Sequence, residues 1–174
     1  LKQLANSDTM LHRVYIAIPI SESDKFIQNG TETLADGLFY LNGIKVFIDG
    51  TLGSRGAALL APYSDADHSG FMNRTTKAEL MPVLEQALKQ GFQVMTHVIG
   101  DRALYSTLNW YEEAWNALPK TKWKTEDLRW RLEHAQIIPP KQQDRLAQMN
   151  IVASMQPSHA IGDLNFAPSR LGYS

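Results

Sequence analysis

Lys45, His97 and His134 are the residues of this chain whose types and spacing best suit chemistry. Each sits in a short apolar run: Lys45 in GIKVFIDG, His97 in FQVMTHVIGDRA and His134 in LRWRLEHAQ. Neutral imidazole is the commonest metal ligand. A lysine ammonium is not one, because its lone pair is protonated. Lysine can ligate only after it reacts with CO2, as an anionic carbamate whose two oxygens can bridge two cations. A lysine and two histidines brought together would therefore form part of a metal site. Each also has a plainer role, as a salt-bridged strand lysine or a core histidine bonded to backbone.

The elements that must position these residues follow from pattern. Residues 12–20, HRVYIAIPI, alternate and carry β-branched and aromatic side chains, which predicts a strand. Residues 1–9 read as a helix end, and residues 21–36 as polar, irregular chain. A short strand at 37–41 is expected before an Asn42-Gly43 turn. The strand at 44–48, IKVFI, has the continuous apolar character of a parallel strand covered on both faces. Residues 50–74 form a long glycine-rich loop, a length usually tied to function or disorder.

Thr76 and Glu79 fit a capping box at the start of a helix. Its apolar stripe is Leu80, Val83, Leu84, Ala87 and Leu88, and Gly91 stops it. A strand over 92–98 follows. Asp101 is placed to cap the next helix, whose stripe is Leu104, Leu108, Tyr111, Trp115 and Leu118, with Pro119 at its end. A strand at 128–134, a short helix opened by Pro139 and Pro140, and a strand at 151–155 complete the order. The tail from Gln156 reads as loop.

Alternating strands and helices predict an α/β fold on a parallel sheet. A doubly wound sheet and a (β/α) barrel both fit that order. The five or six strands expected are fewer than the eight strands and roughly 250 residues of a closed barrel. In a barrel the C-terminal strand ends all open on one mouth, where Lys45, His97 and His134 could converge.

Composition narrows the function classes. The 174 residues suffice for one domain, and 44% hydrophobic with 20% charged residues is ordinary for a globular chain. A formal net charge of −1 gives no electrostatic case for nucleic acid or an anionic membrane. No apolar run approaches the ~20 residues of a membrane span. The absence of Cys excludes disulfides, thiolate nucleophiles and Cys-ligated zinc. No Gly-rich dinucleotide fingerprint follows any strand. The chain starts at Leu1 without a signal peptide, so an internal piece of a longer, cytoplasmic protein is expected.

Four blocks in order, KVFIDGTLGSRGAALLAPYSD, THVIGDRA, RLEHAQIIPP and ASMQPSHAIGDLNFAPSRLG, carry a resemblance from about Gly37 onward. The chain resembles metal-dependent amidohydrolases of the amidohydrolase superfamily, in particular the YtcJ-like branch. That resemblance implies a TIM-type barrel and hydrolysis of C–N bonds other than peptide bonds. Lys45 matches the carboxylated lysine of the fourth barrel strand, His97 the ligand of the fifth and His134 the ligand of the sixth. One or two divalent ions, zinc foremost, and a carbamate on Lys45 are the implied cofactors, and the partner is a small-molecule substrate.

By the same alignment residues 1–174 form a single fragment, a partial barrel of strands three to seven with their helices. The first two strands with a His-X-His pair, the last strand, and the accessory β-domain fall outside it. The general-base aspartate would lie beyond Ser174, so no catalytic base is expected within the chain and the isolated chain is expected to be inactive. Gln156 and His159, past the seventh barrel strand, face the mouth as substrate contacts. Arg55, flanked by Gly53 and Gly56, is a candidate for a substrate carboxylate. Glu133 is expected on the opposite side of its strand from His134, in a structural role. Two further expectations stand beside this one. The first is a non-catalytic small-molecule-binding module on a doubly wound sheet. The second is homo-oligomerisation through exposed sheet edges.

Overall fold

The computed structural model describes residues 2–7 and 9–172. After a short helix α1 (Lys2–Ala5), the chain forms strand β1 (Val14–Pro19), helix α2 (Ser23–Ile27), β2 (Glu32–Leu34) and β3 (Phe39–Phe47). Helix α3 (Lys77–Gln90), β4 (Gln93–Val98), α4 (Asp101–Ala117) and β5 (Arg131–His134) follow. Helix α5 (Pro140–Gln148), β6 (Val152–Ser154), α6 (Pro157–Gly162) and α7 (Ala167–Leu171) complete it.

The sheet runs in the order β1-β3-β4-β5-β6, every neighbouring pair parallel, while β2 lies antiparallel on β3. The parallel strands are therefore neighbours in chain order. A doubly wound sheet reverses its strand order at a switch point, and this one does not. The fold is α/β, an arc of a TIM-type barrel, and the doubly wound alternative is set aside.

Side chains alternate across the arc. Ile44, Val46 and Ile48, Val94 and Val98, and Trp130 and Leu132 are buried on the helix side, against Leu80, Leu84 and Leu88 of α3 and Leu104 and Leu108 of α4. Truncating one such leucine to alanine costs about 2–5 kcal/mol. Buried polar atoms on this side are paired: the Thr96 and Tyr111 hydroxyls lie 2.6 Å apart, and Trp130 Nε1 donates to Phe92 O at 3.1 Å. Lys45, Phe47, Met95, His97, Arg131 and Glu133 take the opposite, lumen-facing parity.

The capping box is present, with Thr76 N donating to Glu79 Oε2 at 2.7 Å, and Gly91 ends α3 in a left-handed conformation. Elsewhere the structure corrects the sequence. No turn forms at Asn42-Gly43; β3 runs straight through it. The register against β1 slips there, Ile16 pairing with Leu41 and Ala17 with Gly43, so Asn42 is the extra residue of a bulge. A Cβ on Gly43 would meet Ala17 Cα at 3.0 Å, so the glycine permits close strand approach rather than a turn. Residues 21–36 hold part of a 3-10 turn, α2 and β2 instead of irregular chain, and the tail from Gln156 holds α6 and α7, each with a proline in its first turn.

Asp101 is not the cap of α4. Gly100 holds that position, and the N–H groups of Arg102 and Ala103 reach the Ala58 carbonyl at 3.1 and 3.4 Å. The Asp101 carboxylate instead accepts from Leu60 N and Arg102 N, both at 2.9 Å. The long loop between β3 and α3 thus caps a helix that begins more than forty residues later. Among the described residues no helix is long and apolar enough to cross a membrane.

Candidate active site

The C-terminal ends of β3, β4 and β5 deliver the three residues to one side of the arc. His97 is the last lumen-facing residue of β4 and is only 7% exposed. Its Nε2 lies 3.3 Å from Gly50 O and 3.7 Å from Asp49 Oδ1. Burial pushes the imidazole down to about 4, with the Gly50 bond opposing the shift, so the ring is neutral at pH 7 and keeps a lone pair.

His134 reaches the same place by another route. Strict alternation would put it with Leu132 on the helix side. Its φ of 73, followed by 43 at Ala135, breaks the alternation. Its ring meets that of His97 edge to face, with centroids 4.5 Å apart. His134 Nδ1 is 2.7 Å from Gln156 Oε1. A carbonyl oxygen only accepts, so Nδ1 carries a proton; the lone pair of the corresponding neutral tautomer lies on Nε2. His159 stacks on the other side of His134 at 5.7 Å. The structure thus gathers His97, His134, Gln156 and His159.

Lys45 lies on the lumen-facing side of β3 with Nζ 4.6 Å above the Phe47 ring. Burial lowers its pKa, Glu133 opposes that shift and Arg131 adds to it. Glu133 is on this inner face, paired in register with His97, and not on the side opposite His134 as its strand position implied. Arg131 grips its carboxylate through Nε at 2.5 Å and Nη2 at 3.2 Å, and donates to Ser154 Oγ at 2.6 Å. The signal for Glu133 was its parity with Arg131. The left-handed turn that sends its neighbour His134 to the same mouth has no sequence signature.

Asp49, also missed, is fully buried at the end of β3. Its carboxylate accepts from Ala58 N at 3.0 Å, Ile99 N at 3.1 Å and Gly100 N at 2.8 Å. Burial nonetheless pushes it up to about 6. These bonds fasten the loop and the β4–α4 turn on either side of His97. Arg55 does not face the two imidazoles unpaired. Its guanidinium is held bidentately by Asp65 at 2.9 Å, and Arg170 closes on the same carboxylate. Leu52, Leu59, Tyr63 and Ile99 pack this loop against Phe166 and Leu171 near α7.

Two imidazoles in contact, with lysine on the adjoining strand, form a donor set that fits part of a divalent-cation site. Among the described residues no three His, Cys, Asp or Glu side chains come together to complete one. A cavity of about 460 Å³ opens beside the pair, lined by His134, His159, Gln156 and aliphatic residues of α6 and α7.

Comparison with known proteins places this arrangement. A family model described as "Amidohydrolase family" matches residues 1–174. This chain belongs to the amidohydrolase family. It is 34% identical over 171 residues to the protein LONG AFTER FAR-RED 3 of Arabidopsis thaliana, covering 96% of this chain and 28% of that protein. It is 30% identical over 141 residues to YtcJ of Bacillus subtilis (strain 168), which its name describes as a candidate amidohydrolase, covering 81% of this chain and 25% of that one. Two solved structures titled as uncharacterized metal-dependent hydrolases superpose on it at 28% identity. That from Pyrococcus horikoshii OT3 has a TM-score of 0.83 over 98% of this chain and 33% of its own. That from Pyrococcus furiosus has 0.81 over 98% and 34%. This member of the family therefore spans about a quarter to a third of the length of the relatives it matches.

Proposed function

We propose that this chain is the central part of a metal-dependent hydrolase barrel acting on C–N bonds other than peptide bonds. The contact between His97 and His134 carries this reading: two imidazoles from neighbouring strand ends meet edge to face, and His134 stands on the rim of a cavity. His97 and His134 would hold a divalent ion such as zinc, with Lys45, as a carbamate, toward a second. Such an ion supplies Lewis acidity at the scissile carbonyl.

The chain's own residues do the rest of what is proposed. Gln156 fixes the His134 tautomer so that Nε2 faces outward. Asp49 holds the backbone on which His97 rests. His159, on the cavity rim, is placed to donate a ring N–H to the substrate or to the departing nitrogen. Overall, a water oxygen joins the acyl carbon, the C–N bond breaks, and the amine leaves with its electron pair and a proton.

Among the described carboxylates near the pair, Asp49 is bound by three N–H groups, Glu133 by Arg131, and one oxygen of Asp163 by Gln136. The 174-residue chain on its own is therefore expected to turn over nothing. The test is made on the complete gene product. Metal analysis should find stoichiometric zinc or a similar ion, lost in His97→Ala and His134→Ala together with hydrolysis across an amide panel. Unchanged metal content in both variants would refute the assignment.

A further inference from the structure

The cavity beside His134 has a chemical character that the metal site alone does not dictate. Its wall is aliphatic: Leu52, Ile137, Met155, Leu164, Ala167 and Leu171 line it between the end of β5 and helices α6 and α7. Met155 and Leu164 are 55% and 64% exposed. The polar side chains are His134, Gln156 and His159 at one end, and Gln136 bonded to Asp163 at 2.5 Å. None of the described lining residues is lysine or arginine. Arg55 and Arg170 are both committed to Asp65. A carboxylate at the aliphatic end of this cavity would find no lysine or arginine among the described lining residues, and would share the cavity with the Asp163 carboxylate.

Resting on the reading of the site as a hydrolase, we infer that its substrate is an amide bearing an uncharged, apolar substituent. That substituent fills the cavity while the scissile group sits at the His97–His134 end. Amides whose substituent ends in a carboxylate are rejected. Leu164 and Ala167 are then specificity-determining residues. The volume of about 460 Å³ falls in the ordinary range for a small-ligand site and has room for a branched alkyl or aryl group.

The experiment uses the complete gene product loaded with zinc, and two pairs of probes. Hexanamide and N-pentylacetamide are each compared with the counterpart whose chain ends in a carboxylate. Calorimetric binding and kcat/KM should both favour the uncharged member of at least one pair by about tenfold or more. Ala167→Trp, which fills the cavity, should raise KM or Kd for that member about tenfold at unchanged zinc content. Leu164→Arg should narrow or invert the preference for it over its carboxylate.

Equal binding, or a preference for the carboxylates in an enzyme that still hydrolyses amides, would overturn the inference and leave the hydrolase reading standing. A Tm loss in Ala167→Trp without any change in Kd would mean that the protein's own chain fills the cavity, and would also overturn it. If zinc and turnover are both absent, the hydrolase reading fails by itself. Calorimetry still decides the cavity: uncharged probes displaced by Leu164→Arg support it, and no binding overturns it.

Discussion

Asp49 and Gly100 lie 51 residues apart in sequence and are joined by a hydrogen bond of 2.8 Å. The same carboxylate also holds Ile99 and Ala58, so one buried side chain ties the end of β3 to the β4–α4 turn and to the long loop. His97 lies between these anchors. Asp49→Ala would leave three buried N–H groups without an acceptor. At about 1–3 kcal/mol for each unsatisfied group, the loss should be on the order of 3 kcal/mol or more. Urea unfolding should show it as a lowered midpoint at unchanged slope. Asp49→Asn, which keeps one acceptor oxygen, should fall between.

The capping box at α3 gives a smaller and cleaner effect. Thr76 Oγ1 accepts from Glu79 N at 3.3 Å, while Glu79 Oε2 takes the Thr76 N–H. Thr76→Ala should cost about 1 kcal/mol. The loss should appear in denaturant unfolding, and as faster amide exchange confined to the first turn of α3.

Most of the framework was legible because it rests on periodicity and local chemistry. The stripe from Leu80 to Leu88, the Thr76 cap and the runs holding Lys45 and His97 each announce themselves within a few residues. What was not legible depends on distant partners. Asn42-Gly43 reads as a turn until Ala17 of β1 shows that the glycine is needed for close packing. Asp101 reads as a cap, but a carbonyl 43 residues upstream, that of Ala58, takes the role. The convergence of His97 and His134 was expected from a barrel's common mouth. The left-handed backbone that achieves it at His134 was not read from sequence, because histidine, although enriched among the non-glycine residues at positive φ, adopts negative φ at most positions.

Acid should loosen the loop at a definite point. Arg55 and Arg170 hold the Asp65 carboxyl below the usual aspartate range. A group whose pKa falls on folding contributes stability above its unfolded value, and that contribution disappears as pH drops through the folded value. The tie should therefore be intact above about pH 4 and released below it. Thermal unfolding followed from pH 5 to pH 2 should fall more steeply in the parent than in Asp65→Asn. Equal slopes would mean that the pair of arginines contributes nothing to loop attachment.

Lys45 separates its two roles by a substitution that keeps the charge. Lys45→Arg retains a cation near Glu133 but cannot form a carbamate. In the complete protein the bound ions should fall from two to one by metal analysis, and the labelled carbamate carbon seen by NMR after 13C-bicarbonate exchange should vanish. An unchanged ion count and an absent carbamate signal in the parent would leave Lys45 as a lumen lysine over Phe47.

Gly100 and Gly162 make opposite predictions for the same substitution. A Cβ on Gly100 would lie 2.0 Å from Ala58 O and 2.5 Å from Ala58 C, both backbone atoms of the loop that caps α4. That contact cannot be relieved by turning a side chain, so the loop must move off the helix start. The N–H of Ala103 would then lose its acceptor, and Ala58 N its bond to Asp49. Gly100→Ala should cost about 3 kcal/mol or more and expose residues 57–60 to proteolysis. A Cβ on Gly162 at the end of α6 meets nothing within 4 Å. Gly162→Ala should stabilise by about 0.4–1 kcal/mol, because the unfolded chain loses freedom and the folded one loses nothing. Comparing the two midpoints in one urea series tests the loop's docking directly. Similar, small effects at both positions would show that Ala58 is not fixed against Gly100.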